Sequence, residues 1–217
     1  TMAQTPFRVD SPLMRAVGRV GDLALINILF LFCSLPVFTL GASSAALYTV
    51  TLQIVRHEEG KLVRTFFSAF KRNFGQSTVL TLIVLAVFAG LYLDLRVIQA
   101  NPSMFPLVFR VGTFVAAILI CFTASYVFAL QAKFDNSIGG TLKNAFLLSI
   151  AHPFSSIAIA VLTFLPVAMA VFATYYFLLA SIVFFLFWFS CAAALNSYLF
   201  ERIFKKISPP TDNAEAQ

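Results

Sequence analysis

Charged side chains are scarce. Asp, Glu, Lys and Arg together make up 11% of the 217 residues, against about a quarter in a soluble globular domain. A chain so poor in charge cannot cover a water-facing surface, which excludes an ordinary soluble fold. Among the few carboxylates, Asp22, Asp94 and Glu201 fall near the ends of apolar runs, so no carboxylate is placed mid-membrane for a proton relay. The two histidines, His57 and His152, have no ligand-like neighbours in sequence. The three cysteines, Cys33, Cys121 and Cys191, are widely separated in apolar runs. Neither set has metal-ligand or redox spacing, so no metal or other cofactor is expected, and the cysteines read as small buried hydrophobes. A glycine-rich phosphate loop of the P-loop kind is also missing, so the chain cannot hydrolyse ATP by itself. No catalytic arrangement stands out, and the expectation is a protein that is not an enzyme.

Apolar sequence is abundant. Hydrophobic residues make up 60% of the chain, and Phe alone occupies 26 positions. This composition indicates an all-α, polytopic membrane helix bundle. The net charge of +6 then reads as cytoplasmic loop bias rather than as a nucleic-acid footprint.

The chain is organised around Asn27 to Gln53, two apolar runs joined by Pro36, Thr39 and Gly41. They read as a helical hairpin inside a membrane. Before it, Ser11-Pro12 gives an N-cap followed by proline at the first helical position, and a basic amphipathic lead-in reaches about residue 20. The first span, about Asp22 to Pro36, resembles a signal peptide in its basic start and apolar run but is expected to be retained. The second, Ala42 to Val55, gives about 21 Å of helix, short of the ~30 Å hydrocarbon layer. It is therefore short, tilted or re-entrant.

After the charged RHEEGK, the segment LVRTFFSAFKRNF places Leu62, Phe66, Phe70 and Phe74 at four-residue intervals, with Arg64, Lys71 and Arg72 on the other side. That pattern predicts an amphipathic helix lying in the membrane interface, and docking on a partner is the competing reading. Spans follow at Gln76–Val97 and Leu107–Gln131. Gly139-Gly140 marks a break, and Leu142, Phe146 and Ile150 repeat the amphipathic pattern around Lys143. From Asn144 to Phe200 there is no Asp, Glu, Lys or Arg. That stretch exceeds one span of about 20 residues and divides into two, near Tyr175-Tyr176. Residues 1–206 are thus expected to form one transmembrane domain, and 207–217 a polar disordered tail.

Six spans with both termini cytoplasmic put Arg8, Arg15, Arg19, Arg56, Lys61, Arg64, Lys71, Arg72, Lys133, Lys143, Arg202, Lys205 and Lys206 inside, and only Arg96 and Arg110 outside. This split satisfies the positive-inside rule. A three-fold hairpin repeat is one reading of the similar endings LYTVTLQIVR, SYVFALQAKF and SYLFERIFKK. Chance similarity in Phe- and Leu-rich sequence is the other.

Three sets of residues stand out. The helix-packing motif comprises Pro36, Gly41, Ala42, Ser43, Ala45, Ala46 and Tyr48, small residues that admit close backbone approach. Asn27 and Asn196 lie inside predicted spans, where an amide needs a partner; they read as interhelical glue ahead of a substrate ligand. Arg64, Lys71, Arg72 and Lys143 are candidates for contact with lipid or a cytoplasmic partner.

These residues resemble the YesL family of bacterial integral membrane proteins, a domain of unknown function. The resemblance rests on Cys33-x-x-Pro36, Thr39-x-Gly41-Ala42-Ser43, Ala46-Leu47-Tyr48, Phe70-Lys71-x-Asn73-Phe74 and Leu142-Lys143-Asn144-Ala145-Phe146. Its recognisable motifs cover about residues 11–150. Phe30 and Phe32 stand where more Trp and Leu would be expected. The resemblance supplies no catalytic residues. It implies a protein of the bacterial cytoplasmic membrane, often encoded beside carbohydrate ABC importers. The expected role is accessory or regulatory, in contact with an importer's permease or ATPase. A stand-alone transporter or channel is the alternative, and a membrane enzyme comes third.

Overall fold

The computed structural model describes residues 12–56, 58, 60–101, 103–172 and 177–207. Within them the chain forms α1 (Pro12–Ser34), a 3-10 turn (Val37–Thr39), α2 (Leu40–Val55), α3 (Leu62–Ala100), α4 (Leu107–Lys133), α5 (Ile138–Ala151), α6 (Pro153–Phe172) and α7 (Phe177–Ile207). No strand occurs among the described residues. The Ser11 cap, the Tyr175-Tyr176 pair and the tail beyond residue 207 lie outside them.

Three described segments are long and apolar enough to cross a membrane: Val37–Val55, α3 and α4. A fourth arises if α5 and Pro153–Pro166 count as one span bent by 114°. The bend has a local cause. Proline disfavours helical geometry in the residue before it, and His152, which precedes Pro153, sits at φ −129° and ψ 65° as the C-cap of α5.

α2 is the central element. It is 16 residues long, about 24 Å, and it packs against α1, α3, α4 and α7. Small side chains make this crowding feasible. Ala42, Ser43, Ala45 and Ala46 have no exposed surface. Gly41 has no room even for a methyl group, since a Cβ there would run into Thr81 Oγ1 and the Phe128 ring.

The entry to α2 is set by one hydroxyl. Thr39 Oγ1 lies 2.6 Å from the Cys33 carbonyl and 2.7 Å from the Pro36 carbonyl. The last turn of α1 leaves carbonyls without helical partners, and Thr39 supplies a donor to them. This accounts for the Cys33-x-x-Pro36-x-x-Thr39 spacing. The apolar residues of the turn, Leu35, Val37 and Phe38, point outward.

Two expectations need correction. The amphipathic segment expected to stand alone around Phe70 is the start of α3, which continues unbroken to Ala100 for 39 residues. Phe66, Ala69, Asn73, Ser77, Leu80 and Thr81 are buried, while Phe67 and Phe74 are exposed. α5 behaves alike. It starts at Ile138, with the Ser137 hydroxyl accepting from Gly140 N at 3.2 Å, so Gly139-Gly140 lies inside the helix. Thr141, Ala145 and Ser149 face the bundle, whereas Phe146 and Ile150 point outward. The physical reason is common to both. With apolar surroundings outside, small and polar residues gain most from helix–helix contact, and large apolar ones can face outward without penalty.

Candidate functional site

The interior is lined by hydroxyls and amides that bond between helices. Asn27 Oδ1 on α1 accepts from Ser190 N at 3.0 Å and from Ser190 Oγ at 3.3 Å on α7. Asn196 Nδ2 on α7 donates to Tyr48 OH on α2 at 3.3 Å and to Thr163 Oγ1 on α6 at 3.2 Å. Each asparagine therefore joins different helices. Thr51 and Ser197 share a hydrogen bond of 2.7 Å, and Ser77 Oγ donates to Gln131 Oε1 at 2.9 Å. Asn196 Oδ1, Gln131 Nε2 and Asn73 Nδ2 are buried without a partner among the described residues.

Phe200 forms the aromatic hub. Tyr48 and Tyr126 both stand edge-on to it, with centroids at 5.7 and 5.0 Å, and Phe204 stacks against it at 5.6 Å. The Tyr126 hydroxyl pairs with Ser156 Oγ at 3.0 Å. Tyr198, in the ending SYLFERIFKK, is exposed and lies under the Arg202 guanidinium.

At one end of the bundle α2, α4 and α7 finish together. Glu201 lies 2.9 Å from Arg56 and 3.9 Å from Lys133. Lys133 Nζ also sits 4.5 Å above the Phe204 ring, within cation–π range. The sequence offered no local signal for this cluster, since its members come from three distant segments.

The remaining singled-out residues divide by exposure. Gly41 through Tyr48 are buried except for the partly buried Ser44, and Pro36 is exposed. Arg64, Lys71, Arg72 and Lys143 are all exposed. No group of three His, Cys, Asp or Glu residues close enough to hold a metal occurs among the described residues. At the opposite end, Thr113 Oγ1 donates to Asp94 Oδ2 at 3.3 Å.

This arrangement defines an all-helical protein with membrane helices, cemented by buried hydroxyl and amide contacts. Residues 23–95 match the family described as Protein of unknown function, DUF624. The chain is 30% identical over 139 residues to the "Uncharacterized protein YesL" of Bacillus subtilis (strain 168), covering 63% of this chain and 65% of that one. It is 30% identical over 134 residues to the "Uncharacterized protein YteU" of the same organism, covering 59% and 60%. The match thus spans just under two thirds of these curated relatives. No solved structure matches. Over these spans the chain is similar to YesL and YteU.

Proposed function

We propose that the protein is a multi-pass component of the bacterial cytoplasmic membrane, with six spans and both termini cytoplasmic, that assists a carbohydrate ABC importer without itself carrying sugar. The importer association rests on the family resemblance. The observation that favours assistance over independent transport is the character of the core: its buried polar side chains among the described residues are hydroxyls and amides, none of them a carboxylate or a cation. Asn144 to Phe200 contains no Asp, Glu, Lys or Arg. Proton coupling normally uses an ionisable group in the span, and energy from ATP would have to come from a partner. Arg64, Lys71, Arg72 and Lys143 present cations for that partner or for anionic lipid, each worth about 1 kcal/mol near a charged membrane surface.

Reconstitution tests the proposal. Liposomes holding the protein alone should take up no more sugar than empty vesicles. Adding the protein to a carbohydrate ABC importer of the same organism should change that importer's uptake or assembly, and the charge reversals Lys71→Glu and Lys143→Glu should weaken the change. Robust uptake by the protein alone, with neither ATP nor partner, would instead establish a transporter.

A further inference from the structure

A cleft of about 320 Å³ opens between α2 and the first turns of α3. Thr49 and Gln53 of α2 line one wall, and Arg64, Thr65, Ser68 and Arg72 of α3 line the other. Arg64, Ser68 and Arg72 recur every four residues and so share one helix face. The two arginines are about 12 Å apart along the axis, with the Ser68 hydroxyl between them.

The cleft is rich in donors and poor in acceptors of charge. A guanidinium carries five N–H donors, accepts nothing and stays charged at any physiological pH. Neither Arg64 nor Arg72 forms an ion pair among the described residues. Among the described residues, no carboxylate lines the cleft. Glu58, in the neighbouring loop, is turned to Arg56 at 3.7 Å. Thr49 Oγ1 is committed to the Ala45 carbonyl at 2.8 Å, which leaves the Thr65 and Ser68 hydroxyls and the Gln53 amide to add to the two guanidiniums.

We propose that this cleft binds a phosphate group, carried either by an anionic phospholipid or by a soluble phosphate ester. The number of donors lining the cleft favours phosphate over carboxylate. A carboxylate offers two oxygens and satisfies one guanidinium fork, whereas a tetrahedral phosphate offers more oxygens and can take two arginines and flanking hydroxyls together. The volume admits the phosphate and the first atoms of the polar group that bears it. Lys61 and Lys71 lie on the same stretch of chain but do not line the cleft, so they separate a specific site from diffuse positive charge. The inference needs no importer and stands or falls independently of that reading.

Thermal melting of the purified full-length protein tests it in two arms. In neutral detergent the probes are inorganic phosphate and glycerol 3-phosphate, each against chloride at matched ionic strength. In nanodiscs the comparison is phosphatidylcholine alone against phosphatidylcholine doped with phosphatidylglycerol. A saturated site should raise Tm by roughly 3 °C. A rise in the first arm identifies a soluble ester, and a rise confined to the second identifies a lipid headgroup. Arg64→Gln/Arg72→Gln should abolish the rise, and Lys61→Gln/Lys71→Gln, with the same loss of charge, should keep it. Ser68→Leu, at an exposed position, should block the cleft with both arginines intact, and it decides the matter if the arginine variant does not fold. No rise in either arm, a rise that survives Ser68→Leu or the arginine changes, or equal loss in the lysine variant overturns the proposal.

Discussion

Arg56 and Glu201 are joined by two hydrogen bonds, from Nε at 3.0 Å and Nη2 at 2.9 Å, both to Glu201 Oε2. One carboxylate oxygen thereby ties the end of α2 to α7, and Lys133 of α4 approaches the same atom at 3.9 Å. The Glu201 side chain retains 13% of its exposure and Arg56 32%, so water screens the pair only in part.

Glu201→Gln should therefore destabilise the bundle by about 1–2 kcal/mol, a partly buried charge-assisted bond discounted for screening. The check is a double-mutant cycle with Arg56→Gln, read by thermal melting in detergent. Coupling should be clearly favourable, and strictly additive losses would show that the contact contributes nothing.

Gly41→Ala should cost about 2–3 kcal/mol, because the added methyl meets Thr81 and Phe128 and both helices must shift. Ala45→Leu, at a position with no exposed surface, should lose a similar amount. Ala86→Leu on the outward side of α3 should change melting little. Matching melting temperatures for Ala45→Leu and Ala86→Leu would contradict close packing around α2.

Thr39→Val keeps the shape of the turn and removes its donor. It should cost about 1 kcal/mol, with Thr39→Ser recovering most of it. If valine and serine melt alike, the hydroxyl does not hold the turn.

Topology has its own check. In a cysteine-free background, Ser103→Cys should react with an impermeant maleimide added to intact cells, and Gly60→Cys should react only after lysis. Labelling of position 60 from outside would reverse the proposed orientation.

Much of the helix plan was legible because it depends on local chemistry. Pro36, Thr39 and Gly41 mark the turn into α2, and Pro153 marks the end of α5. The motif Gly41–Tyr48 could be recognised because small residues in an apolar run have few other uses. The inward faces of α3 and α5 were harder to read. The four-residue spacing of Phe66, Phe70 and Phe74 suggested an interfacial helix, yet in apolar surroundings periodicity does not say which side faces the bundle. Ser77, Thr81 and Thr141 mark the packed side instead. Glu201 was unreadable for another reason: its partners are set by where three helices end, which no local pattern encodes. The cleft at Arg64 and Arg72 likewise exists only because α2 lies alongside.

The unbroken course of α3 has a mechanical consequence. At 39 residues it extends about 58 Å, nearly twice the hydrocarbon thickness, and it contains no proline to act as a hinge. Such a rod cannot absorb a push at one end by folding at its middle. A tilt imposed near Lys71 must reappear near Asp94 with opposite sense, pivoting where Thr81 meets Gly41. The helix thus has the build of a lever whose fulcrum is the close approach of Gly41 to Thr81 and Phe128.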